Sequence, residues 1–121
     1  MLVRFSNPSP MPRAWSVETG VLVTIDSGAD TTLLPPQSAE RLGVDLESLK
    51  KETVGSVERG RGVEVYQKVQ LFAYLCEQWI GLPVRFYVSD QGRAVLGRAG
   101  AFEQLQIAFV ERDKVIYASR L

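Results

Sequence analysis

The sequence contains no histidine and a single cysteine, Cys76, among its 121 residues. Without histidine the chain cannot build Ser-His-Asp or Cys-His nucleophilic sites, and most catalytic zinc sites are excluded as well. It also lacks the GxxxxGK[ST] and GxGxxG motifs that bind phosphate groups. A lone cysteine forms no intrachain disulfide, which favours a reducing compartment and predicts a cytoplasmic location. If the chain is an enzyme, carboxylates are therefore the leading candidates for acid–base chemistry.

Charge and hydropathy exclude two further classes of partner. The chain carries 14 basic and 14 acidic side chains, which give a formal net charge of zero. Such a chain shows no electrostatic footprint for nucleic acid or an anionic membrane, so neither partner is expected. No apolar run approaches the roughly 20 residues that a membrane-spanning helix needs. The opening residues, MLVRFSNPSPMPRAW, also lack the long apolar segment of a secretory signal.

The rest of the composition is that of an ordinary globular protein. Apolar residues make up 45% of the chain and charged residues 23%, which is the normal proportion. The length suits one domain with its own core, so residues 1–121 are predicted to form a single domain. The segment 1–13 holds three prolines and is predicted to be irregular or to form an edge at a dimer interface.

Short apolar stretches separated by turn residues predict a mostly β domain with two short helices. Segments 14–17 and 21–25 flank Glu18-Thr19-Gly20, which predicts a hairpin with a tight turn at the glycine. Residues 53–75 predict two strands around a glycine-rich centre, because apolar residues recur there at every second position. The stretch QIAFVERDKVIYASR predicts a terminal hairpin that turns near its Arg-Asp pair.

The two predicted helices are both brief. PPQSAERLGV begins with two prolines and has Gly43 after Leu42, the pattern of a short helix that ends at a glycine. RAGAFEQL, further along the chain, predicts the second helix. Between the two lie LPVRFYVSD, which is typical of a strand, and the short apolar run AVLG.

The stretch VLVTIDSGADTTLLP, residues 21–35, carries the strongest chemical signal. It places a carboxylate, Asp26, at the end of what is predicted to be a buried strand, which costs stability unless the group is paired or used. Two carboxylates about 3 Å apart cannot both ionise, so one can take a proton from water while the other donates one to a carbonyl oxygen. In Asp26-Ser27-Gly28 the serine offers a hydroxyl to such a pair, and the glycine permits a tight turn.

The segments DSGADTTLLP and AVLGRAGAF, residues 26–35 and 94–102, resemble those of the retropepsin-type aspartic peptidases. These are the single-lobed enzymes of retroviruses and their bacterial and eukaryotic cellular relatives. In that family a D-[ST]-G-A motif ends a buried strand, a glycine-rich hairpin called the flap follows, and an apolar-apolar-Gly-Arg segment opens a C-terminal helix. The same parts occur here in the same order, and the resemblance covers roughly residues 21–105. It implies an all-β, closed-barrel retropepsin-like fold, one lobe per chain, with one or two short helices and a flap hairpin.

The resemblance also implies roles for individual residues. Asp26 from each chain would be the catalytic carboxylate, with Ser27 and Gly28 supporting the loop that carries it. Asp30 would be well placed to pair with Arg98. The residues implied to contact substrate are Ala29, Asp30, Gly55, Ser56 and Val57. No metal and no cofactor is implied.

Other interpretations of these residues stay open. Asp26 could simply form an Asx turn after a strand, and the Asp30–Arg98 pair could be purely structural, which is the preferred interpretation. Cys76 is predicted to be a thiol packed in a strand rather than a redox or catalytic group, because no histidine is available to activate it. The predicted flap departs from retroviral ones because its centre, GSVERGRG, is charged.

One motif per chain has a consequence for assembly. The nearest second copy is Ser89-Asp90-Gln91-Gly92, which lacks the D-[ST]-G order. A catalytic pair would therefore form only in a homodimer, with Asp26 beside its symmetry mate. The sequence thus predicts an aspartic endopeptidase that cleaves peptides or proteins. The alternative is a catalytically silent dimerisation or peptide-binding module of the same fold, and a metal-dependent hydrolase is disfavoured.

Overall fold

Strands make up most of the structure, as the sequence predicts. The computed structural model describes residues 1–7, 17–26, 28–56, 61–90, 92–102, 104–110 and 115–120. The strands are β1 (Leu2–Asn7), β2 (Val17–Leu22), β3 (Thr24–Ile25), β4 (Thr32–Leu34), β5 (Lys51–Ser56), β6 (Arg61–Tyr66), β7 (Val69–Leu75), β8 (Gln78–Phe86), β9 (Val95–Leu96), β10 (Leu105–Val110) and β11 (Val115–Arg120). An α-helix, α1 (Pro36–Arg41), and a 3₁₀ turn (Leu46–Ser48) interrupt them.

A seven-stranded sheet in the order β2-β1-β7-β8-β4-β9-β3 forms the body of the domain. Its two outermost strands, β2 and β3, are separated along the chain only by Val23. Strands joined by one residue cannot lie at opposite ends of a flat sheet, so the sheet curls until its ends nearly meet. Val23 occupies the junction, where it exchanges backbone hydrogen bonds of 2.8 and 3.0 Å with Met1.

The start of the chain corrects two expectations from the sequence. The segment 1–13 was expected to be irregular or to form an edge at a dimer interface. Its residues 2–7 are not irregular, because β1 is an interior strand that pairs with β2 on one side and β7 on the other. An edge at a dimer interface stays a prediction. Residues 8–13 lie outside the described residues. The turn expected at Glu18-Thr19-Gly20 is also wrong, because these residues continue β2, with Thr19 opposite Phe5 and Gly20 opposite Arg4. Because β2 pairs with β1 along its whole length, the backbone N–H and C=O groups of residues 18–20 have hydrogen-bond partners that a turn would not provide.

The interior of the curled sheet is filled by alternate residues of the longer strands. In β7 and β8 the inward side chains are buried, and the intervening ones are exposed or half-buried, as expected for a sheet with one solvated face. The fully buried side chains include Phe5, Leu34, Leu71, Ile80, Leu82, Val84, Phe86 and Leu96. The barrel interior is thus a packed core, and the candidate site must lie on its rim.

The hairpin between β7 and β8 corrects the expectation for Cys76. Cys76 and Glu77 form the two-residue turn, with φ of 51° and 64°, and Leu75 pairs with Gln78 across it. Positive φ at both central residues is the geometry whose twist suits a two-residue hairpin. Cys76 therefore sits in a turn and not in a strand, where it is half-buried against the edge of the core.

One of the two predicted helices is confirmed. Helix α1 ends as the sequence predicts: Gly43 adopts φ of +68°, its N–H bonds to Glu40, and the N–H of Val44 bonds to Ala39. This pair of bonds is the usual glycine-terminated end of a helix.

The helix predicted over RAGAFEQL is wrong. The described residues of that stretch before Leu105 form turns, with bonds from the Phe102 N–H to the Arg98 carbonyl and from the Gln104 N–H to the Ala101 carbonyl. Gly100 interrupts helical geometry there, because its φ is +79°.

Two further hairpins lie outside the seven-stranded sheet. β5 pairs with β6, and β10 pairs with β11, each as a two-stranded antiparallel sheet. The terminal hairpin is predicted by the sequence and confirmed. Of the two strands predicted over residues 53–75, the first corresponds to β5, but the second divides into β6 and β7. Residues 57–60 and 111–114, which connect the strands of the two hairpins, lie outside the described residues. Within the described part of the chain, no helix is long and apolar enough to cross a membrane.

The core can be tested with a matched pair of leucines. Leu34 is fully buried, and its strand β4 joins β8 to β9, whereas Leu22 is 73% exposed. We expect Leu34→Ala to lower the free energy of unfolding by about 2–5 kcal/mol, because it leaves a cavity in the core. Leu22→Ala should change it by less than about 0.5 kcal/mol. Urea unfolding measures both, and equal losses would contradict the packing described here.

Candidate active site

Asp26 lies immediately after β3, on the rim of the curled sheet. β3 pairs in parallel with β9, with Ile25 opposite Leu96, and the Asp26 N–H donates to the Leu96 carbonyl at 3.1 Å. Ile25 is buried, but the side chain of Asp26 is exposed. A carboxylate at the end of this strand therefore stays hydrated in the single chain, and the burial cost expected from the sequence does not arise.

The chain turns sharply after Asp26. Its Oδ1 atom accepts a hydrogen bond of 2.8 Å from the Gly28 N–H, and its carbonyl accepts one of 3.2 Å from Ala29. This is an Asx turn, the simpler interpretation of the motif. The turn fixes the carboxylate against its own loop and leaves it exposed, so it does not argue against a chemical role. Ser27 lies outside the described residues.

The segment that follows β9 holds the Asp26 loop in place. The Arg98 N–H donates to the Ala29 carbonyl at 2.9 Å, and the Ala99 N–H donates to the Asp30 carbonyl at 2.8 Å. The Arg98 guanidinium also forms an ion pair with the Asp30 carboxylate. Both side chains are largely exposed, so this pair adds little stability by itself. The structure thus brings together the two residues that the sequence singled out, in an arrangement that braces the loop.

Gly97 is needed for this close approach. A Cβ atom at position 97 would lie 2.4 Å from the carbonyl carbon of Thr31, a backbone atom. The Gly97 N–H donates to the Thr32 hydroxyl at 3.1 Å, in the buried interior. The glycine of the Leu-Gly-Arg segment therefore lets the backbones of the two loops touch.

Tyr87 connects the neighbourhood of Asp26 to three other parts of the fold. It forms an isolated bridge with Val65 of β6, its N–H donates to the Leu34 carbonyl at 2.9 Å, and its hydroxyl donates to the Arg93 carbonyl at 2.8 Å. Burial raises the pKa of the Tyr87 hydroxyl, and the negative charge of Asp26 raises it further. Both causes disfavour a tyrosinate there. The sequence analysis did not identify Tyr87, since a tyrosine in an apolar strand has no distinguishing pattern.

A cavity of about 350 Å³ opens between the Asp26 loop and the β5–β6 hairpin. Of the residues predicted to contact substrate, Ala29, Asp30 and Gly55 line it, and Gly28 does so as well. Ser56 is the last residue of β5, and Val57 lies outside the described residues. Asp26 is next to the cavity in sequence but is not part of its wall. The other lining residues are Thr31, Leu33, Val54, Lys68 and Arg85.

Arg85 attaches the hairpin to the barrel. Its guanidinium forms an ion pair with Glu52 of β5 and donates to the Tyr66 carbonyl of β6 at 3.2 Å. Its side chain is only 14% exposed, so a partner for its charge matters here more than at the surface. Sequence reasoning missed Arg85 and Lys68, because neither residue stands in a distinguishing local pattern.

The described residues contain no cluster of three or more His, Cys, Asp or Glu side chains that could hold a metal ion.

Comparison with known proteins supports the architecture. The sequence matches no protein-family model and no curated protein. In three dimensions the chain is similar to a retropepsin-like aspartic protease from Rickettsia conorii, with a TM-score of 0.55 and 13% identity over 100% of this chain and 94% of that one. Together with the curled sheet, this likeness confirms an all-β retropepsin-like barrel. At such low identity it shows the fold alone.

The contact at Gly97 yields a first prediction for the site. We expect Gly97→Ala to lower the free energy of unfolding by about 1–3 kcal/mol, because the new methyl group must displace the Thr31 backbone. The amide NMR signals of Ala29 and Asp30 should shift with it. Gly20→Ala is the control, since its Cβ would meet only Leu2, at 3.4 Å. A Gly97→Ala protein as stable as the wild type would contradict the close contact.

Tyr87 yields a prediction about pH. Tyr87→Phe removes the hydrogen bond to Arg93 and should lower the free energy of unfolding by about 1 kcal/mol at neutral pH. The pKa of Tyr87 is raised in the folded state, so the unfolded chain releases this proton first. The stabilising contribution is then complete below about pH 10 and is lost as pH rises through the folded-state pKa.

The difference between wild type and Tyr87→Phe should therefore shrink above about pH 10. Tyr74→Phe is the control. Tyr74 is 36% exposed, so the difference in unfolding free energy between this variant and the wild type should not change in the same way with pH. Chemical unfolding across the alkaline range measures the difference, and a constant gap between wild type and Tyr87→Phe would contradict the prediction.

Proposed function

We propose that this protein is an aspartic endopeptidase that acts as a homodimer. The observation that carries the proposal is Asp26: an exposed carboxylate at the end of a barrel strand, in an Asx turn held by the Leu-Gly-Arg segment, on a retropepsin-like fold. Its motif supplies one carboxylate per chain, and the two-carboxylate reaction requires a second. A two-fold axis beside this loop would bring Asp26 of each protomer together.

In the proposed reaction the two carboxylates share one proton. The ionised Asp26 takes a proton from the attacking water, while the protonated Asp26 of the partner subunit donates one to the scissile carbonyl oxygen. The resulting gem-diol intermediate collapses when the carboxyl that took the proton from water passes it to the amide nitrogen, so that the amine departs. The other carboxylate takes a proton from one hydroxyl of the gem-diol, which leaves a carboxylic acid product and restores the shared proton. Which carboxylate holds the proton is a property of the pair. Ser27 would donate a hydrogen bond across the dimer, and Gly28 would allow the loops to approach.

The cavity and the hairpin supply the substrate cleft in this proposal. Ala29 and Asp30 form one wall and Gly55 the opposite one, with Ser56 and Val57 continuing toward the tip of the β5–β6 hairpin as the flap. An extended peptide between the two would be held near Asp26. The Asp30–Arg98 pair would keep the wall in place. We further place the protein in the cytoplasm, in keeping with its single cysteine.

Asp26→Asn tests the reaction. A diverse peptide library is incubated with each protein from about pH 3.5 to about pH 7.5, and the products are identified by mass spectrometry. We expect cleavage by the wild type with a bell-shaped pH dependence, and loss of at least about 10³-fold in Asp26→Asn, because an amide can neither take nor share the proton. The fold should be unchanged, as circular dichroism will show.

Asp90→Asn is the matched control, since Asp90 is exposed and lies outside the cavity; it should cleave like the wild type. Cleavage by Asp26→Asn at the wild-type rate would refute the proposal. Absence of any Asp26-dependent cut in a sample shown by sedimentation to be dimeric would favour the silent peptide-binding module instead.

A further inference from the structure

Not every charged residue that lines the cavity has an ion-pair partner. Among the residues that the structure describes, three charged ones line it: Asp30, Lys68 and Arg85. Asp30 is paired with Arg98, and Arg85 is paired with Glu52. Each of these pairs is electrically neutral, so neither leaves a net charge at the cavity wall.

Lys68 is the exception. It is exposed in the two-residue link between β6 and β7, and its side chain lines the cavity. Among the described residues it has no ion-pair partner. The cavity and the partners of its charges therefore carry one surplus positive charge, located on a flexible side chain that can reach a ligand.

The same cavity offers apolar contact. Ala29, Leu33 and Val54 line it, and Leu33 and Val54 are half-buried. A glutamate side chain matches both features, because its methylene groups can lie on apolar atoms while its carboxylate meets an ammonium group. A peptide that fills the cavity also displaces water from around the charges, which strengthens their attraction.

We propose that this cavity is a substrate subsite that prefers an acidic side chain, glutamate in particular, and that Lys68 determines the preference. This inference rests on the proposed function to the extent that a peptide must lie in the cleft. It adds the class of side chain that the cleft selects. Lys68 is then a specificity residue and takes no part in the chemistry at Asp26.

A basic side chain bound to Asp30 is the competing arrangement. It is disfavoured because Arg98 already occupies the Asp30 carboxylate, and because the unpaired Lys68 would repel a second cation in the same cavity. An acidic side chain meets two charges that are already paired, those of Asp30 and Arg85, and one unpaired charge of opposite sign, that of Lys68.

Binding to a cleavage-deficient protein tests the preference without turnover. The full chain carrying Asp26→Asn is titrated against fluorescent peptides in which each position in turn holds Glu, Gln or Lys, and Kd is measured by anisotropy. At one position we expect Glu to bind about three- to tenfold more tightly than Gln, and Lys to bind more weakly than Gln.

The preference should depend on Lys68 and on charge. It should disappear in Asp26→Asn/Lys68→Met and persist in Asp26→Asn/Lys50→Met, whose exposed Lys50 lies outside the cavity. It should weaken between about 50 and about 500 mM NaCl, and vanish below about pH 4, where the glutamate of the peptide is protonated.

The outcomes separate this inference from the proposed function. Equal binding of Glu and Gln at every position, tighter binding of Lys, or a Glu preference that survives Lys68→Met would each overturn the acidic subsite, even if the wild type cleaves peptides. A Lys68-dependent Glu preference without any Asp26-dependent cleavage would support the subsite and overturn the peptidase. Failure of every peptide to bind would overturn both.

Discussion

The position of the Asp26 loop depends on one close backbone contact, between Gly97 and Thr31. Because residue 97 has no side chain, segment 97–99 can lie against the loop and satisfy three of its acceptors, the carbonyls of residues 29 and 30 and the hydroxyl of Thr32. These bonds form just beyond the ends of β3 and β9, each of which is only two residues long. A rim loop on such short strands would otherwise carry backbone groups without partners. The carboxylate is thus positioned by a contact with residues distant in the chain.

The β5–β6 hairpin needs a separate attachment, since it is not part of the seven-stranded sheet. β6 is joined to the end of β8 by the bridge to Tyr87 and by the bond from the Val88 N–H to the Glu64 carbonyl. Arg85 adds a third link, through Glu52. The Arg85 guanidinium is largely buried and therefore needs a partner for its charge. Glu52 supplies that partner, so Arg85 adds no unpaired charge to the cavity. The selectivity of the cavity then falls to Lys68, a residue with no structural bond of its own in the described part of the chain.

Much of the fold and the centre of the site were predictable from the sequence because they follow from local patterns. Alternating apolar residues and the glycine at the end of α1 specify short elements whatever surrounds them. The Asp26 and Leu-Gly-Arg segments carried a resemblance to a family, and that resemblance indicated that Arg98 and Asp30 would be close. The structure brings the two together, and what their pairing does for substrate stays a proposal.

The errors share a physical cause: tertiary pairing overrode local signals. Glu18-Thr19-Gly20 looks like a turn, but β1 offers it a complete set of backbone partners. Cys76 looks like a strand residue, but the β7–β8 register requires a turn at that position. Three residues near the site were missed altogether, Tyr87, Arg85 and Lys68. Arg85 reaches the cavity because β8 pairs with β4, with Leu33 opposite Arg85, and Lys68 reaches it because it lies in the link between β6 and β7. Nothing in the local sequence of either residue indicates this.

The exposure of Asp26 in the single chain has a consequence for the proposed dimer. A hydrated carboxylate costs a monomer nothing, but two of them brought face to face repel each other and lose water. One shared proton removes the repulsion and supplies a strong hydrogen bond in its place. In the proposed mechanism, assembly of the dimer and the sharing of one proton are therefore linked. Each chain supplies one Asp26, so the proposed two-carboxylate reaction needs both protomers.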